Sequence, residues 1–146
     1  MQFNLEKIVR ENIWNLKPYS SARDEFSSDV GIFLDANENP FGNLNRYPDP
    51  YQKELKKEIS KIKNIATENI FLGNGSDEII DIIIRIFTEP KQDKILIFPP
   101  TYGMYEVSSD INNVEIKTLD LDENFQISID DNLKNLIKDE SIKIIF

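Results

Sequence analysis

The stretch FLGNGSDEIIDIIIRIF, residues 71–87, changes its periodicity in the middle. Ile70–Leu72 reads as the end of a short apolar strand. Gly73 and Gly75 then bracket Asn74, and a glycine here can take a positive φ and let a ligand approach the backbone. From Ser76 to Phe87 the chain carries Ile79, Ile80, Ile82, Ile83, Ile84, Ile86 and Phe87. A helix so apolar on most sides is expected to be buried. Strand end, glycine loop and helix together make one unit of an alternating α/β chain.

The alternation continues downstream. KILIF, Lys94–Phe98, reads as a strand stopped by Pro99 and Pro100, and TYGMYEVSSDI reads as a helix. Val114–Leu119 is a predicted strand, Asp130–Lys138 a predicted helix and Ile142–Phe146 a strand apolar on both faces. Upstream, Leu5, Ile8, Val9 and Ile13 fall at helical spacing within an arm covering residues 1–30. Ile32–Leu34 reads as a short strand, and RYPDPY, 46–51, as a proline-rich loop. Leu55, Ile59 and Ile62 form the apolar stripe of an amphipathic helix. Strands alternating with helices predict a mainly parallel, doubly wound sheet over residues 31–146, with helices on both faces. Ligands of such sheets bind beyond the carboxyl ends of the strands. The sequence stops at a strand end, so the expectation is a truncated chain holding the first part of a larger domain.

Composition narrows the chemistry. The 146 residues contain no histidine and no cysteine, and the net charge is −9. Disulfides and thiolate metal sites are excluded, and hydrolysis by a serine–histidine or cysteine–histidine pair is disfavoured. An acidic chain is not expected to bind nucleic acid by counterion release. No apolar run approaches ~18 residues, so no membrane helix is expected.

Four places carry candidate chemistry. The amides of Gly75, Ser76 and Asp77 open a helix, where backbone donors and the dipole favour an anion. The plainer reading is a helix capped by Asn74 or Ser76, with Asp77 and Glu78 in the first turn because acids stabilise that end. The loop has neither the G-x-x-x-x-G-K of a nucleotide loop nor the G-x-G-x-x-G of a dinucleotide fold. Tyr102 and Tyr105 follow a strand, where a ring can stack on a planar ligand. Asn37, Glu38 and Asn39 form a dense polar group before Pro40, and Tyr47 lies in the proline-rich loop. Taken singly, each of these is better explained by helix packing or turn chemistry.

Their order is more specific. LDANENPFG, RYPDP, GNGSDEIIDIIIRIF and FPPTYGMY, in this order and at these separations, resemble the histidinol-phosphate aminotransferases. These are class II pyridoxal-phosphate enzymes with the aspartate aminotransferase fold (fold type I). The likeness runs from about Lys17 to Phe146. It implies that Gly75, Ser76 and Asp77 form part of the cup for the phosphate of pyridoxal 5'-phosphate, and that Tyr102 stacks on its ring. Tyr47 would reach the cofactor phosphate of a partner subunit, in a homodimer. Tyr19 and Asn37 match positions near the substrate. The implied reaction is reversible amino transfer from L-histidinol phosphate to 2-oxoglutarate, giving imidazole-acetol phosphate and L-glutamate, in the cytoplasm. The family's Schiff-base lysine, and an N-P-T-G segment carrying a ring-binding asparagine, are expected beyond Phe146, so the isolated chain is expected to be inactive. Two other readings stay open. One is a related aromatic aminotransferase or threonine-phosphate decarboxylase; the other is a non-catalytic domain that dimerises or binds a phosphorylated metabolite.

Overall fold

A computed structural model describes residues 4–20, 25–26, 30–32, 34, 36–43 and 48–146. The chain divides into two units, Lys17–Leu72 and a second made of Met1–Leu16 with Gly73–Phe146.

The second unit holds the sheet. Its strands are β1 (Lys94–Ile97), β2 (Glu115–Thr118) and β3 (Ile142–Ile145), all parallel, in the order β2-β1-β3. Parallel neighbours need long crossovers. Here these contain α4 (Met104–Ile111), between β1 and β2, and α5 (Asp131–Leu136), between β2 and β3. Helix α3 (Gly75–Phe87) precedes β1. Central β1 reads as a continuous apolar run because both its faces are covered, and Ile95, Leu96, Ile97 and Phe98 are all buried. The core joins Ile80 and Ile84 of α3 to Ile95, Ile97 and Val114, with Tyr105, Ile116, Ile144 and Phe146 packed against it.

Several expected elements differ in detail. Within α3 only Ile80 and Ile84, one turn apart, are fully buried; the other isoleucines are half-buried. One stripe meets the sheet, while Asp81 and Arg85 lie outside it and pair with each other at 2.8 Å. Strand β3 lies at the edge of the sheet among the described residues, and its side chains alternate between half-buried and exposed. Ile70–Leu72 is not a strand; it follows a 3-10 turn, Thr67–Asn69. Ile32 and Leu34 are 90% and 88% exposed and lie outside any strand. A strand persists only where a neighbour takes its backbone groups, and these segments find none among the described residues. The helix after Pro100 begins at Met104, with Gly103 as its N-cap. The arm forms a 3-10 turn, Leu5–Lys7, and the single-turn helix α1 (Glu11–Trp14), consistent with the marginal stability of short helices.

Arg10 fastens the arm to the end of α3. Its amide donates to the Ile86 carbonyl at 3.0 Å, and its guanidinium donates to Glu89 at 2.9 Å and to the Arg85 carbonyl at 3.0 Å. The last carbonyls of a helix lack intrahelical donors and carry the negative end of its dipole, so a cation is well placed there.

In the Lys17–Leu72 unit, α2 (Lys53–Lys63) starts where the Asp49 carboxylate accepts the Lys53 amide at 2.8 Å. It ends at Asn64 in the left-handed conformation, φ 52°.

A charged cluster closes the amino-terminal end of the sheet. Lys94 lies 3.6 Å from Asp139 and 4.0 Å from Glu115, which in turn meets Lys117 at 2.6 Å. The hydrogen bond from Lys117 holds the Glu115 carboxyl below its ordinary 4.5. Hydrogen bonds from the Ser141 hydroxyl and amide hold Asp139 below its ordinary 3.8. Both shifts are downward, so the stability they contribute is complete above the unfolded values and is lost as pH falls through the lower folded ones. The expected result is a urea midpoint that is level from neutrality to about pH 5 and falls below it. The fall should be smaller for Glu115→Gln; an equal fall in both proteins would exclude Glu115 as its source.

Candidate functional site: the start of α3

The loop before α3 is built by its glycines. Asn74, at φ −81° and ψ 76°, is the centre of an inverse γ-turn closed by the Gly75 amide on the Gly73 carbonyl at 3.0 Å. Gly75 has φ +79°, a region that L side chains avoid, and a Cβ there would face open space. A Cβ on Gly73 would instead come within 2.5 Å of Ile79 Cδ1. Gly75 is therefore required by conformation, whereas a side chain at Gly73 would have to displace the side chains of Ile79 and Glu78.

Four amides at the start of an α-helix have no intrahelical acceptor. At α3 these belong to Asn74, Gly75, Ser76 and Asp77. The Asn74 amide donates to the Glu78 carboxylate, which turns back over the first turn. The Gly75 amide is taken by the γ-turn. The amides of Ser76 and Asp77 make no backbone hydrogen bond outside the helix among the described residues. No side chain caps the helix from Asn74. Two adjacent donors at the positive end of a thirteen-residue helix thus have no protein acceptor among the described residues.

Neither acid of this turn needs to stand over those amides. Glu78 is engaged by Asn74, and Asp77 Oδ1 accepts the hydroxyl of Tyr102 at 2.9 Å. Tyr102 comes from the segment after β1. That bond raises the Tyr102 phenol above its ordinary 10.0, helped by desolvation and by the charge of Asp77, so the hydroxyl stays protonated at neutral pH. The Tyr102 ring meets Tyr105 edge-on at 5.9 Å, and Tyr105 stacks on Phe146 at 4.4 Å with 9° between the planes. Tyr102 itself is 51% exposed.

These groups gather where the topology reverses. The chain runs from β1 to β2 on one side and then crosses to β3 on the other. The crevice between the carboxyl ends of β1 and β3 is therefore the switch point, where sheets of this kind bind ligands. Tyr102 follows β1 and Phe146 follows β3.

Of the expected site residues, Gly75, Ser76, Asp77 and Tyr102 come together. Gly75 contributes conformation and space, because its amide is already taken. Tyr19 is 87% exposed and Asn37 is exposed, both in the Lys17–Leu72 unit. Tyr47 lies outside the described residues. Sequence reasoning missed Glu78 and Phe146. A carboxylate four residues after Asn74 was a signal for the first, resembling the reciprocal acid of a capping box. Nothing local marked the second.

The arrangement places two amides, unpaired among the described residues, at the start of α3, one of them on the residue that Tyr102 hydrogen-bonds, and the Tyr102 ring is half-exposed. No lysine lies among these residues, so the cluster has no amine to attack a carbonyl.

Comparison with known proteins gives a consistent result. The model of the family described as aminotransferase class I and II matches residues 22–146. A histidinol-phosphate aminotransferase of Bacteroides thetaiotaomicron is 56% identical over 145 residues, covering 97% of this chain and 41% of the relative. One from Cytophaga hutchinsonii is 55% identical over 135 residues, covering 89% of this chain and 39% of the relative. The chain thus spans about two fifths of the length of these curated relatives. Cystalysin from Treponema denticola, whose crystal structure contains pyridoxal 5'-phosphate, aligns with TM-score 0.53 and 21% identity. That alignment covers 75% of this chain and 28% of cystalysin, a likeness of fold.

Proposed function

Because the chain belongs to the aminotransferase class I and II family, we propose that it is the cofactor-orienting portion of a histidinol-phosphate aminotransferase. The observation that carries this reading is the pair of free amides at Ser76 and Asp77 beside the exposed ring of Tyr102. The donors fit a phosphate, the open space at Gly75 leaves room for it, and Tyr102 fits a flat heteroaromatic ring. Pyridoxal 5'-phosphate has both parts, and when bound it supplies the electron sink for amino transfer.

The residues of this chain then have distinct tasks. Ser76 and Asp77 hold the phosphate through their amides, with the Ser76 hydroxyl on the same turn. Tyr102 sets the plane of the ring. Tyr47 contributes from a partner subunit of a homodimer, and Tyr19 and Asn37 lie toward L-histidinol phosphate and 2-oxoglutarate. Under this reading the amine that would join the cofactor is not one of the lysines of these 146 residues. The setting is a cytoplasmic enzyme of histidine biosynthesis. No helix of the described residues is long and apolar enough to cross a membrane.

Equilibrium dialysis tests the binding half. Hydrogen bonds to a charged group contribute about 1.5–3 kcal/mol each, so pyridoxal 5'-phosphate is expected to bind at least about 10-fold more tightly than pyridoxal. Borohydride should fix no cofactor on a specific lysine. Equal affinities, or a stoichiometric lysine adduct with turnover, would sink the assignment. A chimera in which these residues replace the matching part of the Bacteroides relative tests the substrate. It should use L-histidinol phosphate in preference to L-phenylalanine.

A further inference from the structure

We propose that the side chain of Asp77 is a positioning residue for Tyr102: its carboxylate, set on the first turn of α3, holds the phenol hydroxyl and so fixes the ring beside the amides of Ser76 and Asp77. This deepens the reading above and rests on it for the role of the Tyr102 ring.

The 2.9 Å hydrogen bond joins residues from two elements, the start of α3 and the segment after β1. Both ends are anchored. Asp77 sits where the helix dipole favours a carboxylate. The other acid of this turn, Glu78, is occupied by the Asn74 amide. Tyr102 has two side-chain torsions to fix. The hydroxyl is held by Asp77, and the ring meets Tyr105 edge-on, which stacks on Phe146. A ring held at its tip and against one neighbour keeps exposed surface for stacking, consistent with its half-exposed state. The raised phenol pKa follows from the same contact.

This role has a signature that charge alone cannot produce. An acid beside a phosphate site repels the phosphate, so removing Asp77 should leave inorganic phosphate bound equally well or more tightly. Loss of ring orientation should act in the opposite sense on pyridoxal 5'-phosphate, by the ~0.5–1.5 kcal/mol of an aromatic contact. In Asp77→Ala the affinity for pyridoxal 5'-phosphate relative to inorganic phosphate is expected to fall roughly 2- to 10-fold. Asp77→Asn, which keeps an acceptor oxygen without the charge, should recover part of that ratio.

The contact itself is read without cofactor. The 146-residue chain is labelled with 13Cζ-tyrosine, and Tyr102→Phe identifies the resonance. Tyr102 is expected to titrate above the ordinary tyrosine value in the parent and to return toward it in Asp77→Ala. The parent should also show a nuclear Overhauser effect between the Tyr102 ring and the Asp77 Hβ protons. Absence of that effect, or unchanged titration in a folded Asp77→Ala, overturns the proposal. If Asp77→Ala does not fold, the Overhauser effect in the parent decides. Failure of pyridoxal 5'-phosphate to bind a chain that shows the contact would instead count against the functional reading.

Discussion

Ile84→Ala is expected to destabilise the sheet-bearing unit by about 2–5 kcal/mol, the range for truncating a fully buried isoleucine. Ile84 is 0% exposed and belongs to the cluster of Ile80, Ile95, Ile97 and Val114. Its carbonyl also accepts both the amide and the hydroxyl of Thr88, which fixes the last turn of α3 and limits how far the helix can move to fill a cavity. Domains are typically stable by only about 5–15 kcal/mol, so one such change removes a large share. Ile84→Val should cost only about 0.5–1.5 kcal/mol. Ile62→Ala on α2, where the residue is 78% exposed, should stay within about 0.5 kcal/mol of the parent. Urea unfolding followed by far-ultraviolet circular dichroism orders the three. An Ile84→Ala effect as small as that of Ile62→Ala would show that α3 is not the keystone of this core.

Ser76→Pro should abolish most of the affinity for a phosphorylated ligand while leaving α3 in place. Proline is tolerated in the first turn of a helix because the amide it lacks has no intrahelical partner there. At position 76 that amide is one of the two without a protein acceptor among the described residues. Losing one charge-assisted hydrogen bond, at about 1.5–3 kcal/mol, corresponds to roughly a 10- to 100-fold weaker dissociation constant for pyridoxal 5'-phosphate. Ser76→Ala, which keeps the amide and removes only the hydroxyl, should lose much less. Isothermal titration with both variants separates backbone from side chain. A Ser76→Pro protein that is helical by circular dichroism and binds as the parent does would remove these amides from the site.

The elements legible in sequence were those that need only their own neighbours. Ile80 and Ile84 at a spacing of four, the apolar run from Lys94 to Phe98 and the prolines after it give α3 and β1 almost to the residue. Ile70–Leu72 is not the expected strand, and Ile32 and Leu34 lie outside any strand while Phe33 is outside the described residues, because a short apolar run says nothing about whether a partner strand lies alongside. The isoleucine-rich helix, apolar on most sides, was expected to be buried, because composition cannot tell one packed stripe from several. At the site, the glycine loop was legible as a place where backbone donors open a helix. Which donors stay free was not. That depends on Glu78 turning back to Asn74 and on Asn74 forming a γ-turn, a conformation as much as a residue type. The contact of Asp77 with Tyr102 spans two elements, and only the folded register brings them together.

The strand order has a consequence for how the chain is made. Central β1 pairs on one side with β2 and on the other with β3, and both are synthesised after it. During elongation the run Ile95–Phe98 therefore leaves the ribosome with both edges bare and waits for its partners. Such a segment, rich in β-forming residues and free of internal charge, is of the kind that self-associates between chains. Its flanks restrain it: Asp93 and Lys94 place charges at one end, and Pro99 and Pro100 deny the ladder two amides at the other. Slowing translation between Phe98 and Val114 should lengthen that wait, making chaperone demand sensitive to codon choice in the region encoding α4.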